Sequence, residues 1–158
     1  MTPRYPERIA VFAGSFRPFT IGHADIVERG LAIFDRIIIC IGVNFAKPDD
    51  EDAAKERAED IRRIYACEPR VDVECHGGIT SDFALSRGAC ALLRGARSVK
   101  DYEYERDLAD ANFSLSGIDT VIFFTRPHLG WVSSSLVREL QSYGRDVSHL
   151  LPSPSNPK

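Results

Sequence analysis

Along this chain, short apolar runs rich in β-branched residues alternate with longer stretches in which apolar residues recur every three or four positions. The first pattern suits strands buried on both faces and the second suits amphipathic helices. Together they predict a βαβα order and a parallel sheet with helices on both sides. Five strands are expected: Ile9 to Ala13, Arg36 to Val43, Val71 to His76, Ala91 to Arg94 and Thr120 to Phe124. Ala24, Val27, Leu31 and Phe34 place an apolar stripe on a first helix, and Ala54, Ala58, Ile61 and Ile64 do so on a second. Tyr104, Leu108, Ala111 and Leu115 mark another. A last helix opens at Ser133 to Ser135 and stops near Gly144, where glycine can take the left-handed conformation that closes a helix. From Pro152 to Lys158 the chain is a polar, proline-rich tail. With no repeat and no internal linker, the expected fold class is α/β: one domain over 1–158 with its core at about 8–152, a five-stranded parallel sheet and helices on both faces.

Composition narrows the function classes. A chain of 158 residues, 44% hydrophobic and 27% charged, can bury one real core and is too short for two ordinary domains. Twenty basic against 23 acidic residues give a net charge of −3, so there is no global positive field to hold DNA or RNA, and a phosphate site must be local. Cys40, Cys67, Cys75 and Cys90 show no paired C-x-x-C spacing, which argues against a zinc site or redox motif and for buried thiols in a reducing compartment. Met1 to Arg8 holds two prolines and no apolar core, unlike a secretory signal, and the longest apolar run, Ile37 to Val43, is too short to cross a bilayer. The expectation is a cytoplasmic protein with neither nucleic-acid nor membrane partners.

Ligands of such sheets bind beyond the carboxyl ends of the strands, where loops lead into helix N-termini that favour anions. Strand one ends in Gly14-Ser15-Phe16-Arg17-Pro18-Phe19-Thr20-Ile21-Gly22-His23, with two glycines, two hydroxyls and a histidine at a helix start. Taken alone, such a histidine reads as an ordinary capping residue, and the serine triplet Ser133 to Ser135 as an ordinary N-cap. Cap and phosphate site are nevertheless compatible, because both use the same free N–H groups.

The order Thr20-x-Gly22-His23 after a first strand resembles the T/H-x-G-H signature of the nucleotidyltransferase superfamily. Arg94-Gly95-Ala96-Arg97-Ser98-Val99-Lys100-Asp101-Tyr102-Glu103-Tyr104-Glu105 resembles the R-G-x-R-x-x-x-D-F/Y-E-Y-E block of phosphopantetheine adenylyltransferases. Trp131 to Glu139 and Gly144 to Val147 resemble that family's F-I-S-S-S-L-V-K-E and G-G-D-V. The resemblance spans residues 8 to 152 and implies a Rossmann-like domain. It implies an enzyme that adenylylates 4′-phosphopantetheine from ATP in coenzyme A biosynthesis, with magnesium arriving on the ATP, coenzyme A as a feedback inhibitor, and a homohexamer.

By the same resemblance, His23, Lys47 and Ser15 are the catalytic group. His23 donates to the α-phosphate, Lys47 bridges it to the attacking phosphate, and Ser15 holds the latter. Arg94, with Ile79 and Thr80 after the Gly77-Gly78 pair, is expected to bind phosphopantetheine. The ATP side falls to Phe16, Gly95, Arg97 and Ser133, Ser134 and Ser135, with Glu105 and Tyr104 shaping the adenosine pocket and the backbone near Val132 reading adenine. The attacking group is already an anion near neutral pH, so no general base is needed, and positioning and electrostatics carry the rate. No dedicated metal site is expected.

Three positions depart from the family pattern. Arg17 replaces its usual aspartate, leaving open whether it binds phosphate or pairs with an acidic neighbour. Ala13 stands where proline is common, and Pro48 with Asp49 to Asp52 follows Lys47 where a second lysine is frequent. The alternatives are a sister enzyme, a nicotinate-mononucleotide adenylyltransferase or glycerol-3-phosphate cytidylyltransferase, and a non-catalytic nucleotide-binding module on the same fold.

Overall fold

A computed structural model of the chain describes residues 5–154. The readings of Met1 to Arg8 and of the tail therefore lie partly outside the described residues. In chain order the elements are β1 (Ile9–Gly14), α1 (Ile21–Gly30), β2 (Arg36–Gly42), α2 (Asp50–Ile64), β3 (Val71–His76), α3 (Thr80–Ser86), β4 (Ala91–Ala96), α4 (Val99–Ser116), β5 (Asp119–Phe124) and α5 (Ser134–Ser142). The strands form one parallel sheet in the order β3-β2-β1-β4-β5.

The central strands β1, β2 and β4 are apolar because they are covered twice, whereas the edge strand β3 carries Asp72 and Glu74 and is only partly buried. Phe12, Ile37, Ile39, Ile41 and Leu93 pack with Ala24 and Val27 of α1 and Ala54, Ala58 and Ile61 of α2. Val11, Ile38, Cys40 and Leu92 point the other way, towards Phe83 and Ala84 of α3. Gly30 lets α1 lie close on the sheet, since a Cβ there would sit 2.7 Å from both Ile37 and Leu93. A smaller cluster of Leu129, Val132, Val137, Val147 and Leu150 seats α5. Ser133 caps α5 by accepting the Leu136 N–H at 3.1 Å, and Gly144, at φ 72°, turns the chain after it.

The sheet order places a switch point between β1 and β4: chain leaving β1 crosses to β2, and chain leaving β4 crosses to β5 on the opposite side. Loops at the two carboxyl ends therefore part and leave a crevice.

Five expectations need correction. β4 runs two residues past Arg94, through Gly95 and Ala96, and β2 stops at Gly42 before Val43. The first helix ends at Gly30, so Leu31 and Phe34 extend its stripe from the following turn, with Phe34 still buried. On α4, Tyr104 and Leu115 are 64% and 70% exposed, and the buried residue is Glu105. That helix turns a partly polar face to the sheet, where Glu105 pairs with Arg94 of β4. Of the four free cysteines, Cys40 is buried, and burial pushes its thiol up to about 12, whereas Cys67 and Cys90 are exposed.

Candidate active site

The crevice holds a cavity of about 380 Å³, lined by the loop after β1, the end of β4 with the start of α4, and the start of α5. The loop after β1 is built on stacked rings. Phe16 has φ 48°, a backbone conformation unusual for a non-glycine, and turns its ring inward to 3% exposure. Gly14 leaves room for it, since a Cβ there would meet that ring at 3.1 Å. Phe12 and Phe19 lie 5.2 and 5.3 Å from the Phe16 ring and hold this strained turn in place.

His23 sits on these rings, with the Phe16 and Phe19 centroids 5.1 and 5.3 Å away. It is the third residue of α1, and its Nδ1 accepts the backbone N–H of Thr20, the helix N-cap, at 2.9 Å. A backbone N–H can only donate, so Nδ1 is the acceptor and the ring hydrogen of neutral His23 is on Nε2. Burial, then the charges of Arg97 and Arg94, lowers the His23 pKa to about 4. Near pH 7 the residue offers the cavity a neutral, oriented N–H donor.

Arg94 is anchored on three sides. Its Nε and Nη2 meet the two carboxylate oxygens of Glu105 at 2.7 Å each, and Nη1 donates to the Ala13 carbonyl at 2.6 Å. Glu105 is 7% exposed, so this bidentate pair is largely shielded from water. Arg97 is held more loosely, with Nε 3.5 Å from Asp101 in a half-exposed pair.

Ser133, Ser134 and Ser135 bring the start of α5 to the same cavity. Ser134 Oγ donates to the Pro18 carbonyl at 2.8 Å, which ties this helix to the loop after β1. The first N–H groups of a helix have no partner within it and make an anion site with the helix dipole.

Of the residues singled out by sequence, Ser15, Phe16, His23, Arg94, Gly95, Arg97, Glu105 and Val132 to Ser135 are brought together here, along with Tyr104. Phe16 contributes from beneath, as a buried support for His23. The carboxylate of Glu105 is committed to Arg94. Lys47, Ile79 and Thr80 do not line the cavity. Lys47 is exposed in the loop after β2, and Thr80 opens α3. Those two segments meet at Gly77, where a Cβ would lie 2.0 Å from the Phe45 ring. Sequence reasoning missed Asp101 and Thr125, both in the lining. Thr125 directly follows the last parallel strand, the one signal that could have found it.

The site thus gathers two guanidinium groups, a helix N-terminus and a neutral histidine donor, an arrangement suited to holding phosphates and stabilising charge that develops on them.

Comparison with known proteins agrees. Residues 11–140 match the family model described as cytidylyltransferase-like. The phosphopantetheine adenylyltransferase of Porphyromonas gingivalis is 56% identical over 146 residues, covering 92% of this chain and 95% of its own. Those of Bacteroides fragilis and Geobacter metallireducens are 46% and 38% identical, again over at least nine-tenths of both chains. A Francisella tularensis bifunctional NMN adenylyltransferase/ADP ribose pyrophosphatase, crystallised with AMP and a manganese ion, superposes with a TM-score of 0.67 at 16% identity. The alignment covers 92% of this chain and 44% of that one, a likeness of fold alone. By fold, motif and sequence, the chain belongs to the cytidylyltransferase-like family and, within it, to the phosphopantetheine adenylyltransferases.

Proposed function

We infer that the chain catalyses reversible transfer of an adenylyl group from ATP to 4′-phosphopantetheine, giving dephospho-coenzyme A and pyrophosphate, a step of coenzyme A biosynthesis. One observation carries the reading: His23, Arg94, Arg97 and the start of α5 converge on a single cavity at the sheet's switch point. The substrate phosphate is already anionic and attacks the α-phosphorus in line. The bond to the new oxygen forms as the bond to pyrophosphate breaks, and no proton need move.

In this reading His23 Nε2–H meets the α-phosphate oxygen on which charge grows. Arg97 and the N–H groups around Ser134 and Ser135 take the β- and γ-phosphates, while the backbone near Val132 faces adenine. Ser15 and Arg94 hold the attacking phosphate, with Lys47 closing on it from the loop after β2. Ile79 and Thr80 grip the pantetheine arm. Magnesium comes with ATP, held by phosphate oxygens and water. The cavity's carboxylates do not fit a protein cage for it, since Glu105 and Asp101 face Arg94 and Arg97. The ion neutralises triphosphate charge.

The test is pyrophosphate release with ATP and, in turn, 4′-phosphopantetheine, nicotinate mononucleotide and glycerol phosphate. Turnover is expected with the first; turnover only with either of the others would assign the chain to a sister activity.

Assembly as a homohexamer, feedback inhibition by coenzyme A and a cytoplasmic location also belong to this reading. Exposed apolar side chains on α4 support assembly, because Val99, Phe113 and Leu115 are all more than half exposed. Sedimentation should give six times the 17.6 kDa chain mass, and a monomer in solution would refute it. Among the described residues no helix is long and apolar enough to cross a membrane.

A further inference from the structure

Arg17, whose charge is opposite to that of the family's usual aspartate, is not part of the cavity lining. Its guanidinium forms an ion pair with Oδ1 of Asp50, the first residue of α2. Asp50 is 7% exposed, and its other oxygen accepts the Asn44 N–H at 2.6 Å. Asn44 begins the loop that carries Lys47 and organises it. The Asn44 Oδ1 accepts the Ala46 N–H at 3.0 Å, and the Asn44 carbonyl accepts the Lys47 N–H at 2.9 Å. The loop re-enters α2 through Asp49 at φ 66°, a conformation that a non-glycine keeps only when its surroundings impose it. Arg57 of α2 also lies within electrostatic reach of Asp50, but its buried Nε and Nη2, like Nε of Arg17, have no hydrogen-bond partner, and the ion pair to Asp50 is made by Nη2 of Arg17.

Arg17 is itself fixed from behind, because its carbonyl accepts from the guanidinium of Arg138 on α5. One unbroken set of polar contacts therefore runs from α5 through the loop after β1 to the loop of Lys47. We propose that Arg17, acting through Asp50, is a positioning residue that sets the Lys47 loop against the phosphate-binding loop. The acidic run Asp49 to Asp52 that follows Lys47 in this chain supplies the partner that the aspartate-to-arginine exchange requires. Arg17 is thus given no contact with either substrate: its charge is paired with Asp50 and it is absent from the lining that includes Arg94 and Arg97.

The proposal rests on the role given above to Lys47, and its test separates the two. Steady-state kinetics for both substrates would be measured on the full chain carrying Arg17→Ala, Arg17→Lys, Asp50→Asn, Lys47→Ala, and Arg17→Ala with Lys47→Ala. Misplacing one group by about an ångström costs on the order of 10²-fold, so Arg17→Ala should lower kcat/KM for 4′-phosphopantetheine by roughly 10- to 100-fold. The KM for ATP should stay within about twofold, since no ATP contact is removed. Asp50→Asn, which keeps an acceptor for Asn44, should behave alike, and Arg17→Lys should recover most of the loss.

In the double variant, removing Arg17 should cost nothing further once Lys47 is gone. Losses that add in the double variant, with Lys47→Ala itself impaired, overturn the proposal and leave the role of Lys47 standing. A silent Lys47→Ala removes that role and the proposal together. An effect of Arg17→Ala confined to ATP would make Arg17 a direct nucleotide ligand and equally overturn it.

Discussion

Replacing His23 by alanine is expected to cut kcat by roughly 10²- to 10³-fold, the usual cost of one preorganised donor, while both Michaelis constants change far less. The donor is locked before substrate arrives, with Nδ1 occupied by Thr20 and the ring walled by Phe16 and Phe19. It gains most when the α-phosphorus becomes five-coordinate and its oxygens carry extra charge, so its loss falls on the transition state. A variant that kept its kcat and lost only ATP affinity would make His23 a ground-state ligand and shift the burden to Lys47 and Ser15. Because the pKa lies at about 4, His23 is neutral throughout the neutral range, and the wild-type rate should show no break from this residue between about pH 6 and 8. Stability behaves differently. The folded pKa lies below the ordinary imidazole value of 6.5, so between 6.5 and about 4 the unfolded chain binds a proton that the folded chain refuses. Stability should therefore decline as pH falls through that window and level off below it.

Changing Arg94 to alanine should injure both binding and folding. The side chain of Glu105, 9% exposed, would be left without its bidentate partner, and breaking one side of a buried pair costs about 3–5 kcal/mol in unfolding free energy. Binding of 4′-phosphopantetheine should weaken by roughly 10- to 100-fold, reflecting charge-assisted bonds of about 1.5–3 kcal/mol, with ATP less affected. Arg97→Ala should invert the pattern: ATP weakens by a similar factor, while stability barely changes because the pair with Asp101 is half exposed. A double change of Arg94 to Met and Glu105 to Leu separates the two effects, since replacing both partners by apolar groups restores packing without the charge. It should recover most of the stability and none of the phosphopantetheine affinity. Equal losses for both ligands in the Arg94 and Arg97 variants would show that the division of labour is wrong.

Much of this architecture was legible beforehand because the central strands β1, β2 and β4 are covered on both sides, which makes their sequences near-continuous apolar runs. β3 was read to the residue. β4 continues past the expected end at Arg94 through Gly95, whose missing Cβ serves the close approach of Ile26, at 3.1 Å from where it would be. The seven-residue α3 escaped notice, since it spans too few turns for a helical period to emerge. On α4 the periodicity selected the outward face. The sheet-facing side is set by Glu105, whose partner lies eleven residues back on a different element, and no local pattern announces such a pair. The loop after β1 was placed in the site because ligands of parallel sheets bind at the carboxyl ends of the strands, and the start of α5 through its resemblance to a family motif. What Arg17 does depended on Asp50, thirty-three positions away, and only the folded chain brings the two together.

The hydrogen bond from Thr20 to His23 also bears on how ATP escapes waste. Water, unlike a phosphate monoester, must lose a proton to become a strong nucleophile, and His23 cannot accept one. Its Nδ1 is occupied by a backbone N–H, and its Nε2 already carries a hydrogen. On the role proposed for His23, the bond that begins a helix would therefore also discriminate between acceptors, favouring one that arrives already ionised over the solvent that surrounds it.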